Sequence, residues 1–178
     1  MPQLRINIVN FIAFLILLLF AAGFQTTLWY QLFGNLPTPR IWLNVILYLI
    51  LFRKPFEGIC LVYGLTLFIF PFTSIQLGVL WMVCLLSFAV ITYVKKRIFW
   101  PNYQYFFYAS LGANILFDIF YIGYSKITEK NPLSLLVFHR LSEVFISALF
   151  SFPIYYIATR IDYFTNKDFL PEAGGAKE

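Results

Sequence analysis

Five side chains of this sequence sit where a polar or charged group is expensive. Asn114 and Asp118 lie in the apolar run 103–124, and His139, Arg140 and Glu143 lie in the run 133–158. A charge inside the hydrocarbon of a bilayer is tolerated only when it is paired or faces water, so such residues mark binding sites, proton relays or joints between helices. Asn114 and Asp118 are four apart and share one helix face, with Ser110 and Tyr121 on or near the same stripe. Counted from the outer ends of the two runs, Asp118 and Arg140 lie about 9–10 Å deep, and Asn114 and Glu143 about 15 Å deep. Two antiparallel neighbours joined by a short loop would match them into an outer rung, Asp118–Arg140, and an inner rung, Asn114–Glu143, the latter suited to a protonated Glu143. Three roles are open to this set. It is glue between helices, a groove for a partner's transmembrane segment or juxtamembrane loop, or a catalytic or relay site resting on Asp118, His139 and Glu143.

The catalytic option has little support in spacing. His139 and Glu143 stand at i, i+4 like half of a zinc-binding helix motif, but His139 is the only histidine. Cys60 and Cys84 fall inside apolar runs and read as small buried apolar side chains. Two cysteines and one histidine do not make a closed tetrahedral metal site. No nucleophile elbow, phosphate loop or dinucleotide fingerprint occurs. The expectation is a protein that is not an enzyme, with no catalytic residue, cofactor or metal.

The elements that hold these residues follow from composition. Of 178 residues, 61% are hydrophobic, 21% aromatic and 12% charged. A soluble domain carries about 25% charged residues, so this chain cannot cover a soluble surface. An all-α integral membrane protein is expected. The net charge of +5 then reports orientation in a bilayer rather than nucleic-acid binding. The N-terminal apolar run reads as a retained first span rather than a cleaved leader. Six transmembrane helices are expected at approximately 6–29, 39–53, 56–74, 78–94, 103–124 and 133–158, one membrane domain over 1–162, with a short tail at 163–178.

The second and third segments need a turn between them. As one helix, residues 41–72 would rise about 48 Å, too far for a bilayer core of about 30 Å. Pro55 breaks a helix interior. Arg53 and Lys54 at mid-membrane would each cost about 3 kcal/mol. Arg53, Pro55, Glu57 and Gly58 are therefore expected in a hairpin turn at the cytoplasmic water boundary, with Glu57 near the positive end of the next helix dipole. Six crossings put both termini on one side. Arg5, Arg53, Lys54, Lys95, Lys96, Arg97, Arg160, Lys167 and Lys177 fall on that side, against Arg40, Lys126 and Lys130 on the other, which makes the termini cytoplasmic. Pro153 is expected to kink the last span at the Leu149 carbonyl. The rings from Trp100 to Tyr108 read as interfacial anchors, with a lipid or partner contact as the alternative. Ala109, Ala113, Ser147 and Ser151 would let the last two spans pack closely.

The ordered set of motifs resembles the rod shape-determining protein MreD family of bacteria, over about Phe24 to Asp162. The resemblance is carried by QTTL (Gln25 to Leu28), the turn with Arg53, Pro55, Glu57 and Gly58, then Gly64, Leu65 and Gly78, the basic end KKRIF, and Pro153 with Arg160 in the last span. It implies a six-helix bundle like the substrate-binding S components of ECF transporters. It also implies a scaffold role in lateral cell-wall elongation, at the bacterial cytoplasmic (inner) membrane. The partners implied are a bitopic MreC-type protein and, through it, penicillin-binding protein 2, RodA and the MreB filaments. The family's outer aspartate after Gly-Leu is replaced here by Phe68, Ile69 and Phe70, so no role is carried over to that position. The alternative is an ECF-type substrate-binding transport subunit for a vitamin-like small molecule. Such subunits dock through alanine motifs in the first span, where this chain has only Ala13, Ala21 and Ala22.

Overall fold

In a computed structural model the described residues are 2–34, 36–73, 75–97, 102–128 and 137–165, and every regular element among them is helical. Helix α1 (Pro2–Gly23) runs through a five-residue π-helical turn, Phe24–Leu28, into α2 (Trp29–Phe33). There Thr26 Oγ1 donates to the Ala22 carbonyl at 2.9 Å and Thr27 Oγ1 to the Gly23 carbonyl, where the wide turn loosens the normal ladder. Gly34, at φ +57°, ends the rod in a left-handed conformation that a side chain would resist. Then come α3 (Ile41–Phe52), α4 (Pro55–Ile69) with a single 3-10 turn at Phe70–Phe72, α5 (Leu77–Lys95) and α6 (Tyr103–Thr128). The last two are α7 (Val137–Leu149) and α8 (Ser151–Phe164).

Five stretches are long and apolar enough to cross a membrane: Arg5–Phe33, Pro55–Phe72, Leu77–Lys95, Tyr103–Ile127 and Phe138–Phe164. The chain is a multi-pass membrane protein. The sixth expected span, α3, has only 12 residues and rises about 18 Å, well short of the hydrocarbon core. Its composition explains how it survives. IWLNVILYLILF is apolar on every face except for Asn44 and Tyr48, and all twelve residues are buried. Helices α1, α4, α5, α6, α7 and α8 all pack on it. The lipid-facing work falls to the others, which expose Ile8, Ile12 and Ile16 on α1 and Phe138, Leu141 and Phe145 on α7. On α7 the polar residues Glu143 and Ser147 turn inward instead, the inverse of a soluble amphipathic helix.

Successive segments alternate in direction. Asn10, Arg53 and Asp162 are hydrogen-bonded together at one end of the bundle, and Lys95 reaches the Arg53 carbonyl there. At the other end Gln25, Arg40, Phe72, Tyr121 and Glu143 line one cleft. The start of α1 and the end of α8 therefore share one end of the bundle.

The turn between α3 and α4 forms as the proline dictates, with one correction. Arg53 and Lys54 are extended (φ −112°, ψ 162° and φ −62°, ψ 146°), Pro55 opens α4, and Glu57 lies in its first turn. Gly58 allows the close approach that follows, since a Cβ there would stand 3.2 Å from the Phe88 ring and 3.7 Å from the Leu49 carbonyl. Lys54, Pro55 and Phe56 are exposed, but the Arg53 side chain is buried. It is 2% exposed and folds back into the bundle, because a buried carboxylate waits for it there.

Three further expectations meet the structure. The last span breaks at Phe150, between α7 and α8, one residue after the carbonyl that Pro153 leaves without its donor. Helix α8 continues to Phe164, past the expected end at 158, so the first residues of the expected tail are helical; 166–178 lie outside the described residues, as do Trp100 and Lys130. Of the rings near the start of α6, Tyr103 and Tyr108 are exposed, but Phe106 is fully buried between Tyr48, Phe52 and Tyr155. It is core rather than an interfacial anchor.

Candidate functional site: buried charge clusters at the two ends of the central helix

Helix α3 begins just after one buried arginine and ends just before another. Each sits in its own polar cluster.

At the end shared by α1 and α8, Arg53 forms a salt bridge to Asp162, both side chains 2% exposed. Its Nη2 also donates to Asn10 Oδ1 at 3.0 Å, and its guanidinium stands 5.6 Å from the centre of the Phe14 ring. Asn10 Nδ2 donates to Asp162 Oδ1 at 2.9 Å and to Thr165 Oγ1 at 2.8 Å. Tyr48 donates its hydroxyl to Asp162 Oδ2 at 2.9 Å. One cation and one anion make the cluster neutral, and a cation beyond the C-terminal end of α3 suits the helix dipole. The bonds join α1, α3 and α8.

At the opposite end the cation is at the unfavourable pole of α3, and two carboxylates answer it. Arg40 Nη2 lies 2.6 Å from Asp118 Oδ1, and Arg40 Nε lies 2.8 Å from Glu143 Oε1. Arg140 Nη1 is more distant, 3.5 Å from Asp118 Oδ1 and 3.4 Å from Glu143 Oε2. The Arg40 guanidinium also stands 5.0 Å from the Phe117 ring centre, and its backbone N–H donates to Ser147 Oγ at 2.8 Å. Two cations and two anions again sum to zero. Below this layer Asn44 Nδ2 donates to the Ser147 carbonyl at 2.7 Å, and Ser110 Oγ donates to Asn44 Oδ1 at 2.6 Å.

The expected rungs are thus partly assembled. Asp118 and Arg140 do meet, but Arg40 is the closer partner. The Asn114–Glu143 rung is not among the bonds the structure shows. Asn114 Nδ2 donates to the Ser110 carbonyl of its own helix at 2.9 Å, and Glu143 is held by Arg40 and Arg140. The physical reason is Arg40: α3 is short enough to bring a full positive charge within reach of Glu143, and a charge-assisted pair outcompetes a neutral amide. His139 is exposed, whereas Asp118 and Glu143 turn inward to Arg40. Among the described residues no group of three or more histidine, cysteine or acidic side chains is placed to hold a metal.

Arg40, Asn44, Tyr48, Asn10 and Asp162 were not singled out by sequence reasoning. The signal existed in the two arginines. They bracket an apolar stretch of 12 residues, too short to deliver both to water across a bilayer.

Beside the second cluster lies a cleft of about 270 Å³, lined by Gln25, Thr38, Arg40, Trp42, Phe117 and Glu143 among others. No family model, curated protein or solved structure matches the chain. The chemistry has to be read from this geometry. Both clusters are charge-balanced and cross-linked between helices far apart in sequence; the Arg53–Asp162 pair is shielded by the bundle, and the Arg40 cluster borders the cleft.

Proposed function

We propose that this chain is a non-enzymatic membrane scaffold of the MreD type that its sequence resembles. In that role it binds an MreC-type bitopic protein, with the surrounding membrane lipid, in the bacterial cytoplasmic (inner) membrane. Through that partner it supports penicillin-binding protein 2, RodA and MreB in cell-wall elongation and cell shape. One observation carries the reading: the buried charges pair with one another across helices, Arg53 with Asp162 and Arg40 with Asp118 and Glu143. Groups committed in this way fix a frame for a partner to dock on. The distribution of basic residues supports the orientation. With Arg40 and Arg53 withdrawn into the bundle, the loop and terminal cations that remain are Arg5, Lys54, Lys95, Lys96, Arg97, Arg160, Lys167 and Lys177, against Lys126 and Lys130. That bias favours a cytoplasmic end at Asn10 and Asp162.

A tagged copy in its own bacterium is expected to co-purify with a single-span periplasmic coiled-coil protein, and its depletion to round the cells. Rod-shaped depleted cells, with no such partner recovered, would remove the proposal.

A second reading is favoured by the cleft at the end away from the termini, with its polar and aromatic lining: an ECF-type substrate-binding subunit. In that case one vitamin of a panel is expected to raise the unfolding midpoint of the purified protein by several degrees, and a flat response across the panel counts against transport.

A further inference from the structure

The end of the bundle that holds Arg53 carries positive charge that the fold does not use. The spans Pro55–Phe72 and Leu77–Lys95 come together there. Lys95 Nζ donates to the Arg53 carbonyl at 3.3 Å, which ties the end of α5 to the turn before α4. Lys54, Lys96 and Arg97 each lie one or two residues from that bond, and all three are exposed. They stand immediately outside the two spans, Lys54 before Pro55 and Lys96 and Arg97 after Lys95. That is the level at which hydrocarbon gives way to lipid headgroups.

The two buried clusters are neutral, but this group is not. Asp162 is spent on Arg53, so among the described residues Glu57 stands against Lys54, Lys95, Lys96 and Arg97, one carboxylate against four cations. Arg5 and Arg160, exposed at the same end, add to the same sign. The opposite ends of the same two helices, residues 70–77, contain no charged residue. The surplus therefore belongs to one face of the membrane.

Apolar side chains begin where the charges stop. Phe56 is 82% exposed, and Ile59, on the next turn of α4, is exposed as well. On the last turn of α5, Tyr93 and Val94 are exposed, and the Arg97 guanidinium stands 5.3 Å from the centre of the Tyr93 ring. A soluble anion has nothing to place on these side chains. A phospholipid has a phosphate for the cations and acyl chains for the rings. A zwitterionic headgroup would bring its own cation into the surplus, whereas an anionic one answers it.

We infer that Lys54, Lys96 and Arg97 form a binding site for the headgroup of an anionic phospholipid, with Phe56 and Tyr93 against the upper part of its acyl chains. Lys95, held at the Arg53 carbonyl, fixes the two helix ends that carry the site. The site needs neither a protein partner nor a cargo molecule, so it stands or falls separately from both functional readings.

Native mass spectrometry tests it on the purified full chain in detergent, titrated with phosphatidylglycerol or with phosphatidylcholine of the same acyl chains. The dissociation constant of the first bound lipid is the readout. Phosphatidylglycerol is expected to bind about thirtyfold more tightly, about threefold for each of the three cations, somewhat less than a lysine or arginine is worth at an anionic surface. Changing Lys54→Gln, Lys96→Gln and Arg97→Gln together is expected to bring phosphatidylglycerol within about twofold of phosphatidylcholine and to leave phosphatidylcholine unchanged. Lys54→Gln alone is expected to cost about threefold, which keeps the test intact if the triple variant does not fold. Lys126→Gln, at an exposed lysine of the other end, is expected to leave the preference as in the parent. The soluble headgroup glycerophosphoglycerol, which lacks acyl chains, is expected to show no saturable binding at millimolar concentration. Equal affinity for the two lipids, or a preference untouched by Lys54→Gln and by the triple change, would overturn the inference. So would a loss as large in Lys126→Gln, or soluble headgroup binding as tightly as the lipid.

Discussion

Replacing Arg53 with methionine is expected to lower the unfolding midpoint of the solubilised protein by on the order of 10 °C, whereas Lys54→Met next to it leaves the midpoint nearly unchanged. The two residues are adjacent basic side chains on the same turn, and only their surroundings differ. Lys54 is exposed, but Arg53 is, among the described residues, the sole cation bonded to Asp162, in a site where both side chains are 2% exposed. Removing it leaves a carboxylate buried without a counter-charge and deprives Asn10 Oδ1 of its donor. Breaking one side of a buried pair costs about 3–5 kcal/mol, far above the worth of an exposed charge. The double change Arg53→Met with Asp162→Asn removes the stranded charge and is expected to recover more than 1 kcal/mol relative to the sum of the single changes. Thermal unfolding of the four proteins checks this. If the two single changes simply add, the pairing carries no stability and the reading of this cluster is wrong.

At the other end, Arg40→Met is expected to be as damaging as Arg53→Met and much worse than Arg140→Met. Arg40 makes the two short contacts, 2.6 Å to Asp118 and 2.8 Å to Glu143, from a side chain 7% exposed. Arg140 reaches the same carboxylates only at 3.5 and 3.4 Å, with its side chain 23% exposed. Without Arg40 two buried carboxylates share one distant cation, and the loss is again about 3–5 kcal/mol. Without Arg140 the closer pairs survive and the loss is about 1 kcal/mol. The same unfolding measurement ranks them. An Arg140 effect equal to or larger than that of Arg40 would return the cluster to the simple Asp118–Arg140 rung that depth counting alone predicts.

That rung shows where sequence reasoning stops. The apolar segments, the break at Pro55 and the interruption before Pro153 are written in local composition, and the helices follow them. So is the inward position of Asp118, Arg140 and Glu143, since hydrocarbon punishes any other. Partner choice is a different matter, because it depends on how deep each helix end sits. Counting from segment ends treats every segment as a full crossing. Helix α3 is not one, so Arg40 is drawn in from an expected outer loop and Arg53 from an expected cytoplasmic turn. Asp162 escaped notice for the converse reason. Helix α8 runs on to Phe164, carrying Asp162 into register with Arg53 from a stretch that composition assigns almost to the tail.

The spacing of the partners along the chain sets a schedule for biogenesis. Arg40 waits for Asp118, 78 residues downstream, and Arg53 waits for Asp162, 109 residues downstream. A ribosome that has delivered α1 to α6 to the translocon has answered Arg40 in part, while Arg53 has Asn10 and Phe14 but no counter-charge. The core helix is therefore made early but sealed last, and a polypeptide truncated before α8 keeps a guanidinium without its counter-charge.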